Sequence, residues 1–437
     1  MRLMEKYRSM NFLYNSELYM SELTFSSHYE KRTLNQIHSF IYILLLLYSI
    51  VDMMTGLASI IGLPSPGMPY KMLLLFLITI ELGSFYQNKI LIPLYFFTSA
   101  AASLLVYELS PISSMTESLA MILRIETAPI LYYYLFNFYS NAKEELEKII
   151  NFNFLTIILN FILGLMGFGV KSYGEDAGVG VKGLYMGGNA LAVVVICLFV
   201  FYVNKCKTKN IGKWFLLFLI LGLLVATKVS VLGVFVYGLY YLISSARLKK
   251  KIIYLLIIPI IVGILVFVLN QQGYFDYQLG RIEHLLKLFD GNYLSAILSG
   301  RDRDLIKHWD IYYSNLNPIE ILFGQGYLNN LKIIELDFFD TLLSYGLIVF
   351  IPVCCFYFSF FNKSKYSKPI IIFNLLYLAI CLTSGHIWYN TSAALFFSII
   401  NVYYRNVIKN NNLTEYVNTH HLVWNNNKYL RLFCEIK

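Results

Sequence analysis

An all-α polytopic membrane protein of about twelve transmembrane helices is the fold class this sequence predicts, on three observations. Apolar runs long enough to cross a bilayer recur along nearly the whole chain. Composition agrees: 57% of residues are hydrophobic and 14% charged, against about 25% charged in ordinary soluble domains. Mean hydropathy is +0.59. Finally, polar residues concentrate in one long connection, from 270 to 337, while the other connections are short.

The spans centre on 40–62, 71–86, 90–107, 117–138, 150–169, 186–204, 213–227, 229–246, 252–269, 338–361, 369–384 and 391–405. The second, seventh and eighth are short or closely coupled to their neighbours. Residues 1–39 are polar and lack the cationic start, apolar centre and small-residue cleavage site of a secretory signal, so the first span is expected to stay as an anchor. The predicted organisation is a segment 1–39, spans within 40–269, an outer loop 270–337, spans within 338–405, and a polar, Asn-rich tail 406–437. No half-chain duplication of the transporter kind stands out.

Lys and Arg set the orientation. Dense clusters at Lys205-Cys206-Lys207-Thr208-Lys209 and Arg247-Leu248-Lys249-Lys250-Lys251 alternate with short outer connections nearly bare of cations, where Lys71, Lys171, Lys182 and Lys228 stand alone. Both termini are therefore expected in the cytoplasm, with the long loop outside. The formal net charge of +9 is mostly this topological bias and predicts no nucleic-acid partner, because no soluble segment carries a basic face with interleaved aromatics. Cys197, Cys354, Cys355 and Cys381 lie in spans and Cys206 and Cys434 inside, so no disulfide framework is expected. No Cys or His spacing suits zinc, and His420-His421 read as a solvated pair.

Ionisable groups within spans are costly unless they meet a partner or a polar cavity. Asp52, Glu81, Arg124 and Glu126 are the cases. Either Arg124 is neutralised by Glu126 or Glu81, or it lines a cavity entered by a phosphate, whose oxygens its planar fork matches. Lys228, at an outer turn, is either a second phosphate contact or a lysine snorkelling to water.

Two helices are expected in the long loop. Ile282, Leu285, Leu286 and Phe289 make an apolar stripe suited to the membrane surface, and Leu305, Trp309 and Tyr312 make a second. Arg301 and Arg303 open the second helix, where Asp302 or Ser299 would cap it and Asn317-Pro318 would end it. The two arginines either bind an anion or pair with Asp302, Asp304 or Asp310. Gly324-Gln325-Gly326 permits a tight reversal beside a ligand. Glu335 and Asp337 fall at the junction with the next span, Asp340 one turn in. Asp337 there suits a helix cap or a general base for a sugar hydroxyl.

Gly300-Arg301-x-Arg303, Trp309, Phe323-Gly324-Gln325-Gly326, Glu335-Leu336-Asp337-Phe338-Phe339-Asp340 and Tyr345-Gly346-Leu347 together resemble the O-antigen polymerase (Wzy) family. So does Lys182-Gly183-Leu184-Tyr185-Met186-Gly187-Gly188-Asn189-Ala190-Leu191-Ala192, which is similar to that family's Gly-aromatic-x-x-x-Asn-x-x-Ala pattern. The residue-level likeness covers 180–192 and 300–350. It implies a GT-C-like glycosyltransferase of the bacterial inner membrane, serving lipopolysaccharide biosynthesis. Such an enzyme moves a growing glycan from undecaprenyl pyrophosphate to a lipid-linked repeat unit on the periplasmic face, in some systems with a chain-length regulator protein. The related ligases place a histidine where this chain has Glu335 or Asp337, which favours a polymerase. One departure is that polymerases often carry arginines in an earlier outer loop, where this chain has only Lys171 and Lys182.

The expected chemistry uses no nucleotide, cofactor or metal, since the pyrophosphate is already an activated leaving group. Arg301, Arg303, Arg124 and Lys228 are the candidates to stabilise its charge. Glu335 or Asp337 would take the acceptor proton, with His308 a further base candidate unless it simply packs beside Trp309. A Mg²⁺ held by Glu335 and Asp337 is the alternative use of that pair. The competing classes are an O-antigen ligase and a flippase of lipid-linked oligosaccharides. A flippase would be expected to show short loops and two related halves.

Overall fold

The computed structural model describes residues 36–85, 112–173, 179–185, 187–206, 211–245, 283–314, 318–324, 334–363 and 365–405, with Leu94, Tyr95, Gly263 and Gly280. In chain order the helices are α1 (Gln36–Ile60), α2 (Gly67–Phe85), α3 (Ile112–Phe138), α4 (Lys143–Leu165), α5 (Gly188–Lys205), α6 (Ile211–Val225) and α7 (Lys228–Ser245). They continue with α8 (283–288), α9 (Tyr293–Leu298), α10 (Arg301–Ser314), α11 (Pro318–Phe323), α12 (Asp337–Phe358), α13 (Lys368–Ser384) and α14 (391–405). The described residues are about 83% helical. Of these helices α1, α2, α4, α5 and α12 are long and apolar enough to cross a membrane. All but two of the apolar segments read from the sequence fall on helices. Those at 90–107 and 252–269 lie outside the described residues apart from Leu94, Tyr95 and Gly263, as do residues 1–35, the tail 406–437, Ile282, the Tyr312 side chain and Gln325-Gly326.

The surface is turned inside out relative to a water-soluble protein. Phe40, Ile43, Leu47, Met54 and Leu57 run exposed along α1, and Leu155, Leu159 and Ile162 along α4. Their spacing places each set on one helix face. Polar side chains turn inward instead, among them Asp52, Glu81, Asn153, Asn160 and Asn401. That is the arrangement a lipid solvent selects.

Two helices form the centre. α5 and α14 are buried almost throughout, which suits sequences apolar on every side. α5 packs against α6 and α7. α14 is tied to α3 by Ser398 Oγ donating to Ala128 O (3.1 Å), and to α5 by Tyr404 Oη donating to Val200 O (2.8 Å). Asn374 of α13 and Asn401 of α14 exchange amide hydrogen bonds of 3.0 and 3.2 Å. On α4, Asn153 bonds both Leu45 O (3.1 Å) and Ser49 N (2.8 Å), the acceptor and donor of a single α1 turn.

The connection around Lys171 and Lys182 departs from the all-helical expectation. It forms an antiparallel hairpin, β1 (Val170–Tyr173) with β2 (Val179–Gly183). Asn160 of α4 clasps its end, donating to Lys182 O (2.8 Å) and accepting from Leu184 N (2.7 Å). Gly183 between them has φ +61°, and a Cβ there would lie 2.5 Å from Asn160 O. Gly324 opens the expected Gly324-Gln325-Gly326 reversal, whose last two residues lie outside the described residues. Gly324 (φ +79°) rests on the backbone of Ser344 and Tyr345 where α12 kinks at Gly346. A Cβ on Gly346 would in turn meet Leu322 O at 2.4 Å.

Candidate functional site

Two backbone segments in unusual conformations converge where the long connection rejoins the bundle. Glu335, Gly385 and His386 all have φ near +60°: 63°, 63° and 62°. A Cβ on Gly385 would lie 2.0 Å from Glu335 O, so only glycine lets the two loops touch backbone to backbone. The buried carboxylate of Asp337 fastens the second loop, its Oδ2 accepting from Ile387 N (2.8 Å) and Trp388 N (3.0 Å). Asp340 fastens the first, accepting from Ile334 N (2.9 Å) and Leu336 N (3.0 Å). Asp337 therefore does not cap its own helix. It holds the loop that follows α13.

Arg301 closes the cluster. Its Nη2 and Nε donate to Glu335 Oε2 at 2.6 and 3.2 Å, and Nη1 donates to Thr383 O (2.8 Å) in the last turn of α13. That carbonyl is one a helix end leaves without an internal partner. Three of the five guanidinium N–H donors are thus engaged, leaving one on each terminal nitrogen among the described residues. The pairing of Arg301 with a neighbouring aspartate is not what forms: Asp302 instead accepts from Ser295 Oγ (2.5 Å). Arg303 turns away to Phe289 O (2.8 Å) and Asp290 (3.3 Å), its guanidinium stacked on the Phe289 ring. Gly300 (φ +83°) lies against that same ring.

His386 Nε2 stands 3.7 Å from Glu335 Oε1, an ion-pair distance rather than a hydrogen bond. His386 and Arg301 together hold the Glu335 carboxyl down to about 2, against the opposing effect of partial burial. Glu335, with Asp337 and Asp340 behind it, raises the His386 pKa above its ordinary value. A raised histidine stabilises the fold fully below the unfolded value of about 6.5 and loses that contribution as pH rises through the folded value. A depressed carboxylate acts in the opposite sense, its contribution lost only as pH falls from about 4.5 toward 2. His386→Gln is therefore expected to flatten the fall in melting temperature between pH 6 and 8.5 while leaving the acid side unchanged. An unaltered alkaline fall in the variant would reject the His386–Glu335 pairing.

The other residues singled out in the sequence lie elsewhere. His308 is buried on α10 with Nδ1 unpartnered among the described residues, and Trp309 meets Phe339 edge-on. Lys228 is the exposed first residue of α7, whose N-terminus Thr227 caps through Ser230 N (3.2 Å). Arg124 pairs with neither proposed carboxylate. Glu81 is taken by His38 (2.8 Å) and Tyr134 (2.7 Å), and Glu126 is buried with both oxygens unpartnered among the described residues. Arg124 opens instead onto a cavity of about 220 Å³. Among the described residues no group of three or more His, Cys, Asp and Glu side chains is gathered as a metal ion would need.

Sequence reasoning missed His386 and the loop around it. The signal was present in Thr383-Ser384-Gly385-His386, a polar glycine-bearing break between two apolar runs. No family model, curated protein or solved structure matches the chain.

Proposed function

We propose that this membrane protein is a glycosyltransferase that polymerises surface polysaccharide, moving a growing glycan from undecaprenyl pyrophosphate to a lipid-linked repeat unit. The single observation that carries the reading is the Arg301–Glu335–His386 cluster, seated where the long polar connection rejoins the apolar bundle. The resemblance of residues 180–192 and 300–350 to the O-antigen polymerase family supports it. In this reading about twelve spans adopt a GT-C-like arrangement in the bacterial inner membrane, both termini are cytoplasmic, and the cluster faces the periplasm.

The chemistry follows from what Arg301 does to Glu335. A carboxylate held near pKa 2 is a poor base. A diphosphate drawn to the remaining Arg301 donors competes with Glu335 for the guanidinium, and the released carboxylate gains basicity. Glu335 then takes the proton of the acceptor hydroxyl as its oxygen bonds to the anomeric carbon. The bond from that carbon to the phosphate oxygen breaks, and Arg301 stabilises the charge of the departing undecaprenyl diphosphate.

Purified protein in vesicles with lipid-linked repeats should build a ladder of glycan lengths without added energy. Glu335→Gln should abolish the ladder while the protein stays folded and monodisperse. Translocation of the substrate without polymerisation would make the chain a flippase and defeat the reading. The histidine beside Glu335 gives the ligase alternative its own support, and transfer to a lipid A–core acceptor in the same vesicles would decide for it.

A further inference from the structure

The cavity at Arg124 is a second charged chamber on the same face of the bundle. Its wall is drawn from α1 (Asp52), the first turns of α2 (Lys71) and the middle of α3 (Arg124), with Tyr185 and Gly187 before α5 and Asn390 before α14. The loop carrying His386 runs from the Glu335 cluster directly into this wall. Ile387 and Trp388 bond Asp337, and the next residue, Tyr389, already lines the cavity and meets Thr341 at 3.2 Å.

The charges inside do not cancel. Lys71 Nζ bonds Asp52 Oδ1 at 2.7 Å, and the Ser392 hydroxyl donates to the other Asp52 oxygen, which makes a neutral, anchored pair. Arg124 has no acidic partner among the described residues; its polar contact is Met121 Sδ at 3.4 Å. An arginine within a membrane helix is costly without a counter-charge. Here the space in front of it is open, polar and lined by donors. At about 220 Å³ the cavity falls below the roughly 300–1,000 Å³ of drug-sized ligand pockets. It has room for a phosphate or diphosphate group and none for an oligosaccharide.

We infer that this chamber is a second anion subsite, in which Arg124, with Lys71 beside it, holds the phosphate of a second substrate while Arg301 serves the first. That the phosphate belongs to the lipid-linked acceptor rests on the glycosyltransfer reading. That the occupant is a phosphate anion does not.

Equilibrium binding of farnesyl diphosphate to the purified full-length protein in detergent tests this, with inorganic pyrophosphate and farnesol as comparison probes. Wild type is expected to take up two equivalents of farnesyl diphosphate. Arg124→Gln should weaken one of them by about tenfold or more, as for loss of a charge-assisted contact. Gly187 lines the cavity with an ordinary φ of −100°, and a Cβ there would meet Ala190 Cβ at 3.3 Å. Gly187→Leu should therefore block the same equivalent without touching a charge, and it carries the test should Arg124→Gln fail to fold. Equal binding of farnesol, or two unweakened equivalents in both variants, overturns the inference. Pyrophosphate binding as tightly as farnesyl diphosphate would keep the anion site but overturn its assignment to a lipid-linked acceptor. Arg124-dependent binding in a protein that never polymerises would sink the enzyme reading and leave the chamber standing. A normal glycan ladder in a folded Arg124→Gln variant that has lost no binding would do the reverse.

Discussion

Arg301→Ala is expected to reduce long-chain glycan by about a hundredfold or more, the scale for losing one pre-positioned donor to developing charge, with protein abundance near normal. Removing the guanidinium strips Glu335 of its partner and leaves Thr383 O uncapped. Glu335 is about half exposed (48%), so water replaces much of what is lost. Ion pairs with such access contribute about 0–1 kcal/mol, far short of the expected fall in activity. Arg301→Lys keeps the charge but not the fork and should fall between. Arg303→Ala is the internal comparison. Its stacking on Phe289 and its bond to exposed Asp290 point away from Glu335, so a much smaller loss is expected. Glycan length distributions and melting curves on the same samples decide the matter. Normal chain length in a folded Arg301→Ala protein would remove the phosphate role.

The helices were readable because lipid imposes one rule on every span, and runs of apolar residues report it directly. The hairpin at Val170–Gly183 escaped because glycine and lysine interrupt its alternation and its anchor, Asn160, sits on another element. Arg301 and Glu335 stood out as charges at polar junctions. Their mutual bond joins residues 34 apart in sequence, and no periodicity encodes that. His386 was hidden for the same reason, since its carboxylate, Glu335, lies far upstream in sequence and is brought close by the return of α12 and α13. Lys71 with Asp52 was within reach. Both sit close to a tight turn between consecutive spans, so similar depth alone makes them neighbours. Gly346 reads as one more small residue in an apolar run, and only the approach of Leu322 and Gly324 explains it.

Asp337→Ala is expected to lower protein level and activity in step, which separates a residue that positions the site from one that reacts. Its carboxylate is wholly buried and satisfies two backbone N–H groups at the turn that presents His386. Alanine would leave both donors unpaired, each costing about 1–3 kcal/mol. The loop from Gly385 to Trp388 would then separate from Glu335, taking the histidine with it. Asp337→Asn keeps an oxygen for the two donors and places an amide where Oδ1 has no partner among the described residues. Its melting temperature should lie between those of wild type and alanine, and its activity should follow. A general base behaves otherwise, because the asparagine variant would then fold normally and make no glycan. That outcome would move the proton acceptor from Glu335 to Asp337. Glu335→Gln supplies the contrast, since its side chain meets water and fastens no buried backbone donor. It should lose activity with little change in melting.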